Sequence, residues 1–273
     1  MNPLQTYVQA WRESAREIQN ICESLDASEW TRPTDCPGWR VRDVVAHLAA
    51  VEAELVDASK APKHAEGAVV TADYTELGVA ERRDRTPQEL LAELGEAIDA
   101  REAALAELPT DPKAPATLTP GGLDWDWETL LRNRAVDMWT HEQDIRRALD
   151  RPGGLGGLAA QVTTAVFAAG MGYVLGKKVA PPAGTQVVWE VIGAAPFTLS
   201  LAVGEDGRAR KVETPQGPEG SGDSHGTDLR LTMDLETFNL LAAGRRDPAE
   251  TKVRISGDRD LARAVLSAMA VTP

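Results

Sequence analysis

Asp137 and His141 are the residue pair of this chain whose types and spacing best suit the binding of a metal ion. Residues four positions apart lie on one face of a helix, so this carboxylate and this imidazole are spaced to bind one ion. His47 is a third candidate, at the margin of an apolar helix face that includes Val44 and Leu48. Two imidazoles and one carboxylate suit Zn²⁺ or another divalent first-row metal, and three protein ligands leave one position open. The sequence thus predicts a divalent metal site formed by His47, Asp137 and His141.

The same residues also have an ordinary structural explanation. A histidine at a helix–helix boundary is often a hydrogen-bonded core residue, and an Asp-x-x-x-His pair is often only a contact on a helix surface. The other histidines, His64 and His225, lie in polar segments, and we expect water to solvate them. Cys36 lies in a Cys-Pro-Gly-Trp turn without an assignable base, so we predict a turn or packing role for it.

Helical periodicity predicts the scaffold that positions these residues. Apolar side chains recur at helical spacing in four segments, which predict helices over Pro3–Leu25, Val41–Ala58, Thr86 to about Leu108, and Asp126–Leu149. The third helix opens with Thr-Pro-Gln-Glu, which supplies an N-cap, a proline at the first position and a glutamate at the third. Four helices of this length predict an antiparallel four-helix bundle, with His47 on the second helix and Asp137 and His141 on the fourth.

Two connections in this bundle are long. Lys60–Arg85 and Pro109–Asp124 both exceed the length of typical helix-to-helix loops, and neither is low in complexity. Loops of that length are often lids or walls of functional sites. We expect them to shape a pocket beside the metal site.

A Gly-rich segment after Arg151 separates two parts of different character. The predicted domains are the bundle, residues 1–150, and a smaller α+β domain, residues 155–273. In the second domain the pattern predicts helices over Leu158–Leu175, Leu235–Ala243 and Asp258–Ala270, strands over Thr185–Ile192, Phe197–Val203, Arg208–Glu213, Leu229–Met233 and Lys252–Ser256, and a polar loop over Thr214–Thr227. We therefore predict the α+β fold class.

Charge and cysteine content argue against several classes of function. Acidic residues outnumber basic ones by 42 to 29, for a formal net charge of -13. Nucleic acids and anionic membranes attract clustered Lys and Arg, so this balance predicts neither as a partner.

The N-terminus has no basic start or apolar segment, and the apolar stretch Leu155–Val174 is interrupted by Gly, Gln and Thr, so we predict no signal peptide and no membrane span. Two cysteines, Cys22 and Cys36, fit a reducing cytoplasm.

Two segments resemble motifs of a known family. Residues 34–48, Thr-Asp-Cys-Pro-Gly-Trp-Arg-Val-Arg-Asp-Val-Val-Ala-His-Leu, resemble the start of the second helix in the mycothiol-dependent maleylpyruvate isomerase family, part of the DinB-like superfamily of metal-binding bundles. The stripe of Arg134, Asp137, His141 and Asp144 resembles the second family motif. The C-terminal part, including Leu240–Arg245, resembles the family's sterol-carrier-like domain. One departure is Asp137, where the family commonly has Glu; Asp is one methylene shorter and must approach an ion more closely.

The resemblance implies a cosubstrate and further site residues. It implies that the metal activates mycothiol, a low-molecular-weight thiol, which adds to a double bond of maleylpyruvate and is eliminated after the bond rotates. The same activation serves S-transfer to other electrophilic small molecules. Asp144 is expected to orient a metal ligand or a neighbouring arginine, and Arg245 is expected to bind a substrate carboxylate.

A second class of function also fits the chain. It is a non-catalytic protein that binds an apolar small molecule in the sterol-carrier-like domain or in the bundle, with a structural metal or none. The enzyme needs a stoichiometric metal and thiol-dependent turnover, whereas the binding protein keeps its ligand affinity after His47→Ala and His141→Ala. Fold alone does not separate the two, because one fold hosts many functions.

Overall fold

The computed structural model describes residues 2–63, 72–193, 195–214 and 228–272. These residues form two compact units, Met1–Thr163 and Thr164–Pro273. Their helices and their five-stranded sheet confirm the predicted α+β class. The proposed domain boundary between residues 150 and 155 stays a prediction. His64, His225 and all but the first residue of the predicted loop Thr214–Thr227 lie outside the described residues.

The four predicted helices build the first unit. They are α1 (Pro3–Glu23), α2 (Val41–Glu54), α4 (Pro87–Ala104) and α5 (Trp127–Ala148), with a shorter α3 (Ala72–Ala80) between the second and the third. The helix α1 packs on α5, and α2 packs on α4. Trp11, Ile18, Val44, Leu48 and Met138 are among the side chains of the shared apolar core. Burial of one such side chain contributes about 1.5–3 kcal/mol to folding.

Side-chain caps fix where the two site-bearing helices begin. Asp126 accepts a hydrogen bond from the backbone N–H of Thr129 at 2.6 Å, at the start of α5. Asp43 accepts one from the backbone N–H of Arg40 at 2.9 Å, at the start of α2. Each bond pairs a backbone N–H at the start of the helix that has no acceptor within the helix itself. The caps thereby help to set which residues of α2 and α5 face the interior.

The helix α3 departs from the sequence prediction, because it lies inside the connection Lys60–Arg85. Gly78 weakens its helical pattern, so periodicity alone does not reveal it. A Cβ atom at Gly78 would come within 2.8 Å of the Ala50 Cβ, so glycine permits the close approach of α3 to α2. Tyr74 of α3 and the backbone N–H of Gly121 in the second long connection both donate to Oε1 of Glu54, at 2.7 Å each. One buried carboxylate of α2 therefore anchors both connections.

The second unit is built on a mixed sheet with the strand order β3-β2-β1-β4-β5. Its strands are β1 (Gln186–Ile192), β2 (Phe197–Val203), β3 (Ala209–Lys211), β4 (Leu229–Asp234) and β5 (Arg254–Gly257), and its helices are α7 (Leu235–Ala242) and α8 (Arg259–Ala268). β1 pairs antiparallel with β2 and parallel with β4. Val187, Trp189 and Val191 alternate along β1 and are buried on one face of the sheet, and Val188 on the opposite face is buried as well. The predicted strands all occur, and the third is shorter than predicted.

A long apolar helix links the two units in sequence. Helix α6 (Leu158–Tyr173) continues as a π-helical segment over Val174–Val179. By length and composition this stretch of 22 residues could cross a membrane, with a mean hydropathy of 1.5 in its most apolar window. Half of that window is buried inside the protein, and core helices often have the same composition. The absence of a membrane span stays a prediction.

Replacing Thr86 by Ala tests the cap of α4, the helix that supports α2. The Thr86 hydroxyl accepts from the Glu89 N–H at 3.3 Å, and the Glu89 carboxylate accepts from the Thr86 N–H at 2.7 Å. We expect Thr86→Ala to lower the free energy of unfolding by about 1 kcal/mol, measured by urea denaturation followed by circular dichroism. The control is Thr110→Ala at an exposed position, which should change it by less than about 0.5 kcal/mol. Equal losses in the two variants would contradict the role of the cap.

Candidate metal centre

Three side chains from two helices meet inside the first unit. His47 projects from α2, and Asp137 and His141 project from α5. Nε2 of His47 is 3.3 Å from Oδ2 of Asp137, and Nε2 of His141 is 3.6 Å from Oδ1 of the same carboxylate. One donor atom from each residue lies within 4.8 Å of the other two. The structure therefore brings the three predicted ligands together, and their binding of an ion stays a prediction.

These donor atoms lie close enough for one small divalent ion to gather. A tetrahedral ion with bonds of about 2.0–2.1 Å holds its ligand atoms about 3.3 Å apart. The separations of 3.3 and 3.6 Å, which run to different oxygens of Asp137, are near that value, and one donor atom from each residue lies within 4.8 Å of the other two. Imidazole nitrogens and carboxylate oxygens are also donors that Zn²⁺ and other first-row dications accept. The cluster thus has the donor types of a metal site and holds them near one another.

Burial differs among the three residues. The side chains of His47 and His141 are each 5% exposed, whereas that of Asp137 is 30% exposed. Two buried imidazoles with a half-buried carboxylate at their edge leave the cluster accessible from the side of Asp137. A metal site that keeps one position open for a ligand needs such access.

Asp144 fixes the ring of His141. Oδ2 of this fully buried carboxylate lies 3.0 Å from Nδ1 of His141. An ionised carboxylate only accepts hydrogen bonds, which assigns the proton to Nδ1 and leaves Nε2, facing Asp137, as the donor atom for an ion. Arg147 donates to Asp144 at 2.8 Å and to Asp35 at 2.5 Å. Asp144 thus contacts both a candidate ligand and an arginine, and its part in catalysis stays a prediction.

Trp39 lies against both imidazoles. Its ring centroid is 5.0 Å from that of His47 and 5.8 Å from that of His141. The indole N–H donates to the Glu76 carboxylate of α3 at 3.0 Å. The first long connection, through Glu76, therefore holds an aromatic wall beside the cluster. Its sequence signal was the Cys-Pro-Gly-Trp turn, which by itself does not say where the indole points.

The electrostatic environment favours the forms that bind metal. Burial lowers the pKa of His47 below its usual value, against the opposing effect of the Asp137 carboxylate, so the ring is neutral at physiological pH. Burial would raise the pKa of Asp137, but the charge of Arg134, together with the hydrogen bond to His47, outweighs it and holds that pKa well below its usual range. Asp137 is therefore ionised. Nδ1 of His47 has no hydrogen-bond partner in the described part of the chain, so no contact there selects its tautomer as Asp144 does for His141.

Arg134 contacts Asp137 and also forms a buried ion pair with Glu52. Nη1 of Arg134 donates to Oδ2 of Asp137 at 2.9 Å, while its Nε and Nη2 donate to Oε1 of Glu52 at 3.1 and 2.7 Å. Glu52 is fully buried and also accepts from the indole N–H of Trp11 at 3.0 Å. The spacing of Arg134 puts it on the same helix stripe as Asp137, whereas no spacing relates Glu52 to the cluster. The sequence signal for Glu52 is a charged residue between Val51 and Ala53 in an otherwise apolar stretch of α2.

Arg245 lies in the second unit, directly after the αL residue Gly244 that follows α7. Its Nη1 donates to the backbone carbonyl of Ala243 at 3.2 Å. The predicted role of Arg245 in binding a substrate carboxylate stays a prediction. Cys36 is half-buried in the turn before α2.

Comparisons with known proteins point to one family. A family model described as "Mycothiol maleylpyruvate isomerase N-terminal domain" matches residues 11–146, which include the three candidate ligands. Two solved structures of the mycothiol-dependent maleylpyruvate isomerase, one a histidine-to-alanine mutant, have a TM-score of 0.59 with this chain. Each match covers 93% of this chain and 92% of the other, at 15% identity for the mutant and 16% for the other structure. At these identities the likeness establishes the fold. No curated protein matches the chain.

Removing one candidate ligand tests whether the cluster binds an ion. We expect the zinc-reconstituted protein to hold about one ion per chain and His141→Ala to hold about none, because a site with two remaining ligands is incomplete. The readout is elemental analysis after dialysis. Thr140→Ala is the matched control, since it changes the adjacent buried residue, whose hydroxyl donates to the Val136 carbonyl at 2.8 Å. A wild type without metal after reconstitution would rule out the site.

Proposed function

The chain belongs, through residues 11–146, to the family of the mycothiol maleylpyruvate isomerase N-terminal domain, and we propose that it is a divalent-metal-dependent enzyme that activates a small-molecule thiol. The proposed thiol is mycothiol, and the proposed reaction is isomerisation of maleylpyruvate or S-transfer to a related electrophile. The observation that carries the proposal is the cluster of His47, Asp137 and His141, with one donor atom each within 4.8 Å. The common fold with solved structures named as mycothiol-dependent maleylpyruvate isomerase supports it.

The donor set suits a thiol cosubstrate. A divalent ion such as Zn²⁺ at this cluster would lower the pKa of a coordinated thiol and make the thiolate available at neutral pH. Asp137 would contribute a single negative charge, and histidine binds a metal as the neutral imidazole, so these ligands would not cancel the charge of a dication. The chain's own Cys22 does not replace the cosubstrate, because burial raises the pKa of its thiol to about 12.

The residues around the cluster supply orientation and shelter in this proposal. Asp144 keeps Nε2 of His141 directed at the site, and Trp39 excludes water from one side of both imidazoles. Arg245 binds a carboxylate of the electrophile with its planar guanidinium. The thiolate sulfur forms a bond to one alkene carbon, and the π electrons of the double bond move onto the conjugated carbonyl oxygen. The resulting single bond rotates, and return of those electrons breaks the carbon–sulfur bond, which restores the double bond and releases the thiolate.

The alternative is non-catalytic binding of an apolar molecule. An open pocket of 510 Å³ in the second unit is lined by the apolar side chains of Ile192, Met233 and Val253 and by the charged side chains of Asp234, Lys252 and Arg254. This mixed lining does not by itself select an apolar ligand. The proposed partners are therefore a small thiol and an electrophile, and the net charge of -13 argues against nucleic acid.

Two free cysteines, Cys22 and Cys36, support a cytoplasmic location as part of the proposal.

Thiol-dependent turnover tests the proposed reaction. The zinc-loaded protein is mixed with maleylpyruvate, with and without mycothiol, and the substrate is followed by chromatography; monochlorobimane serves as a second electrophile for S-transfer. We expect turnover only with mycothiol. In His47→Ala it should fall by at least about 100-fold, equivalent to about 2.7 kcal/mol, within the several kcal/mol that a metal supplies. Metal-loaded protein that processes neither electrophile, or that needs no thiol, would contradict the proposal.

The proposed carboxylate contact of Arg245 has its own test. An arginine–carboxylate hydrogen bond contributes about 1.5–3 kcal/mol, so Arg245→Ala should raise KM for a carboxylate substrate by about 10-fold or more. The rate with monochlorobimane, which has no carboxylate, should stay within about twofold. The neighbouring Arg246→Ala is the control and should leave both reactions unchanged. Equal effects of the two substitutions on KM would argue against a specific role of Arg245.

A further inference from the structure

Arg134 has no place in the chemistry described so far, although it contacts a candidate ligand directly. We propose that Arg134 is a positioning residue of the metal centre, which fixes the carboxylate of Asp137 while Glu52 holds Arg134 in place. The inference rests on the proposed function, because it concerns the same site. It adds two residues, Arg134 and Glu52, that the predicted ligand set does not contain.

The guanidinium of Arg134 bridges two carboxylates. Nη1 donates to Asp137 at 2.9 Å, and Nε and Nη2 donate to Glu52 at 3.1 and 2.7 Å. Because a guanidinium is planar and its donors point in fixed directions, two such partners fix each other's positions. Asp137 needs this restraint more than the histidines do, because its side chain is 30% exposed and theirs are 5% exposed.

The bridge also joins the two helices that carry the ligands. Glu52 belongs to α2, five residues after His47, and Arg134 belongs to α5, three residues before Asp137. Glu52 is in turn held by the indole N–H of Trp11 in α1 at 3.0 Å. The contact therefore helps to fix the distance between the His47 and Asp137 donor atoms, which a metal ion requires within a few tenths of an ångström.

The charge of Arg134 beside a cation site needs compensation. Glu52, at 0% exposure, supplies one negative charge next to the guanidinium. Oε2 of Glu52 has no hydrogen-bond partner among the described residues and faces Nε of Arg101 at 4.0 Å. Glu52 is closer to Arg134, at 2.7 Å, than to Arg101, at 4.0 Å, so it chiefly offsets the charge of the arginine that holds Asp137. Removal of Glu52 alone would leave the arginine's repulsion of a metal ion uncompensated.

Stability alone does not account for the bridge. Taking two charges out of water costs several kcal/mol, and well-packed apolar residues often replace a buried ion pair without loss of stability. The same unit holds another buried arginine, Arg82, with two hydrogen bonds to Glu93 at 3.0 and 2.8 Å. That pair contacts none of the three candidate ligands. Glu93 also accepts from Arg85 at 2.7 Å, so Arg82→Met is a control for the loss of a buried arginine that leaves the carboxylate paired.

The test compares metal binding by the wild type, Arg134→Met, Arg134→Lys, Glu52→Gln and the control Arg82→Met. Zinc affinity is measured by competition with a chelator, and the visible spectrum of the Co²⁺-loaded protein reports the coordination geometry. We expect Arg134→Met and Glu52→Gln to weaken zinc binding by about 10–100-fold and to change the Co²⁺ spectrum. Arg134→Lys, which keeps the charge without the planar fork, should recover only part of the affinity. Arg82→Met should leave affinity and spectrum unchanged.

The outcomes separate this inference from the proposed function. Wild-type protein that binds neither zinc nor Co²⁺ would overturn both. Wild-type protein that binds metal, with affinity within about threefold and an unaltered spectrum in Arg134→Met, would overturn the positioning role alone. Equal losses in Arg134→Met and Arg82→Met would also overturn it, because they would indicate a general loss of stability. If Arg134→Met does not fold, the same criteria apply to Glu52→Gln and Arg134→Lys.

Discussion

Charges buried in a helical bundle must be paired, and this requirement organises the interior of the first unit. Glu52 is fully buried and faces Arg134, which reaches Asp137 at the edge of the histidine cluster. On the other side of that cluster Asp144, also fully buried, contacts His141 and is paired with Arg147. Each carboxylate near the cluster therefore has a cation beside it. The cluster lies between two ion pairs, and each of them restrains one side chain that could bind a metal.

The apolar core and the polar contacts contribute differently to the geometry of the site. Packing of α1 on α5 and of α2 on α4 brings the helices together without specifying a position to a fraction of an ångström. Directional contacts supply that precision. The two long connections are tied down in the same way, because Tyr74 and Gly121 both donate to Glu54 and because Glu76 accepts from Trp39. The two connections are thus tied to α2, the helix that carries His47, and to Trp39 directly before it.

Much of this arrangement follows from sequence patterns, and the rest depends on contacts between distant residues. The long helices have clear periodicity and caps, and the spacing of Asp137 and His141 places both on one helix face. Helix α3 escaped prediction because Gly78 weakens its pattern and its packing on Ala50 depends on tertiary contact. No sequence spacing relates Glu52 or Trp39 to the cluster, because their hydrogen-bond partners are distant in sequence. Arg134 lies 82 residues after Glu52, and Glu76 lies 37 residues after Trp39. The role of Arg245 rests on resemblance alone.

The geometry also bears on Asp137, where the family commonly has Glu. A shorter side chain matters only if it keeps the carboxylate out of reach, and here both oxygens already lie 3.3 and 3.6 Å from the imidazole nitrogens. Asp has one rotatable bond fewer than Glu, so fixing it in place costs less conformational entropy. Its backbone would then have to lie closer to a bound ion, which would make the proposed site more dependent on the spacing of α2 and α5. The Glu52–Arg134 bridge spans those two helices next to Asp137, so a short ligand and this cross-link are mutually consistent parts of the proposed site.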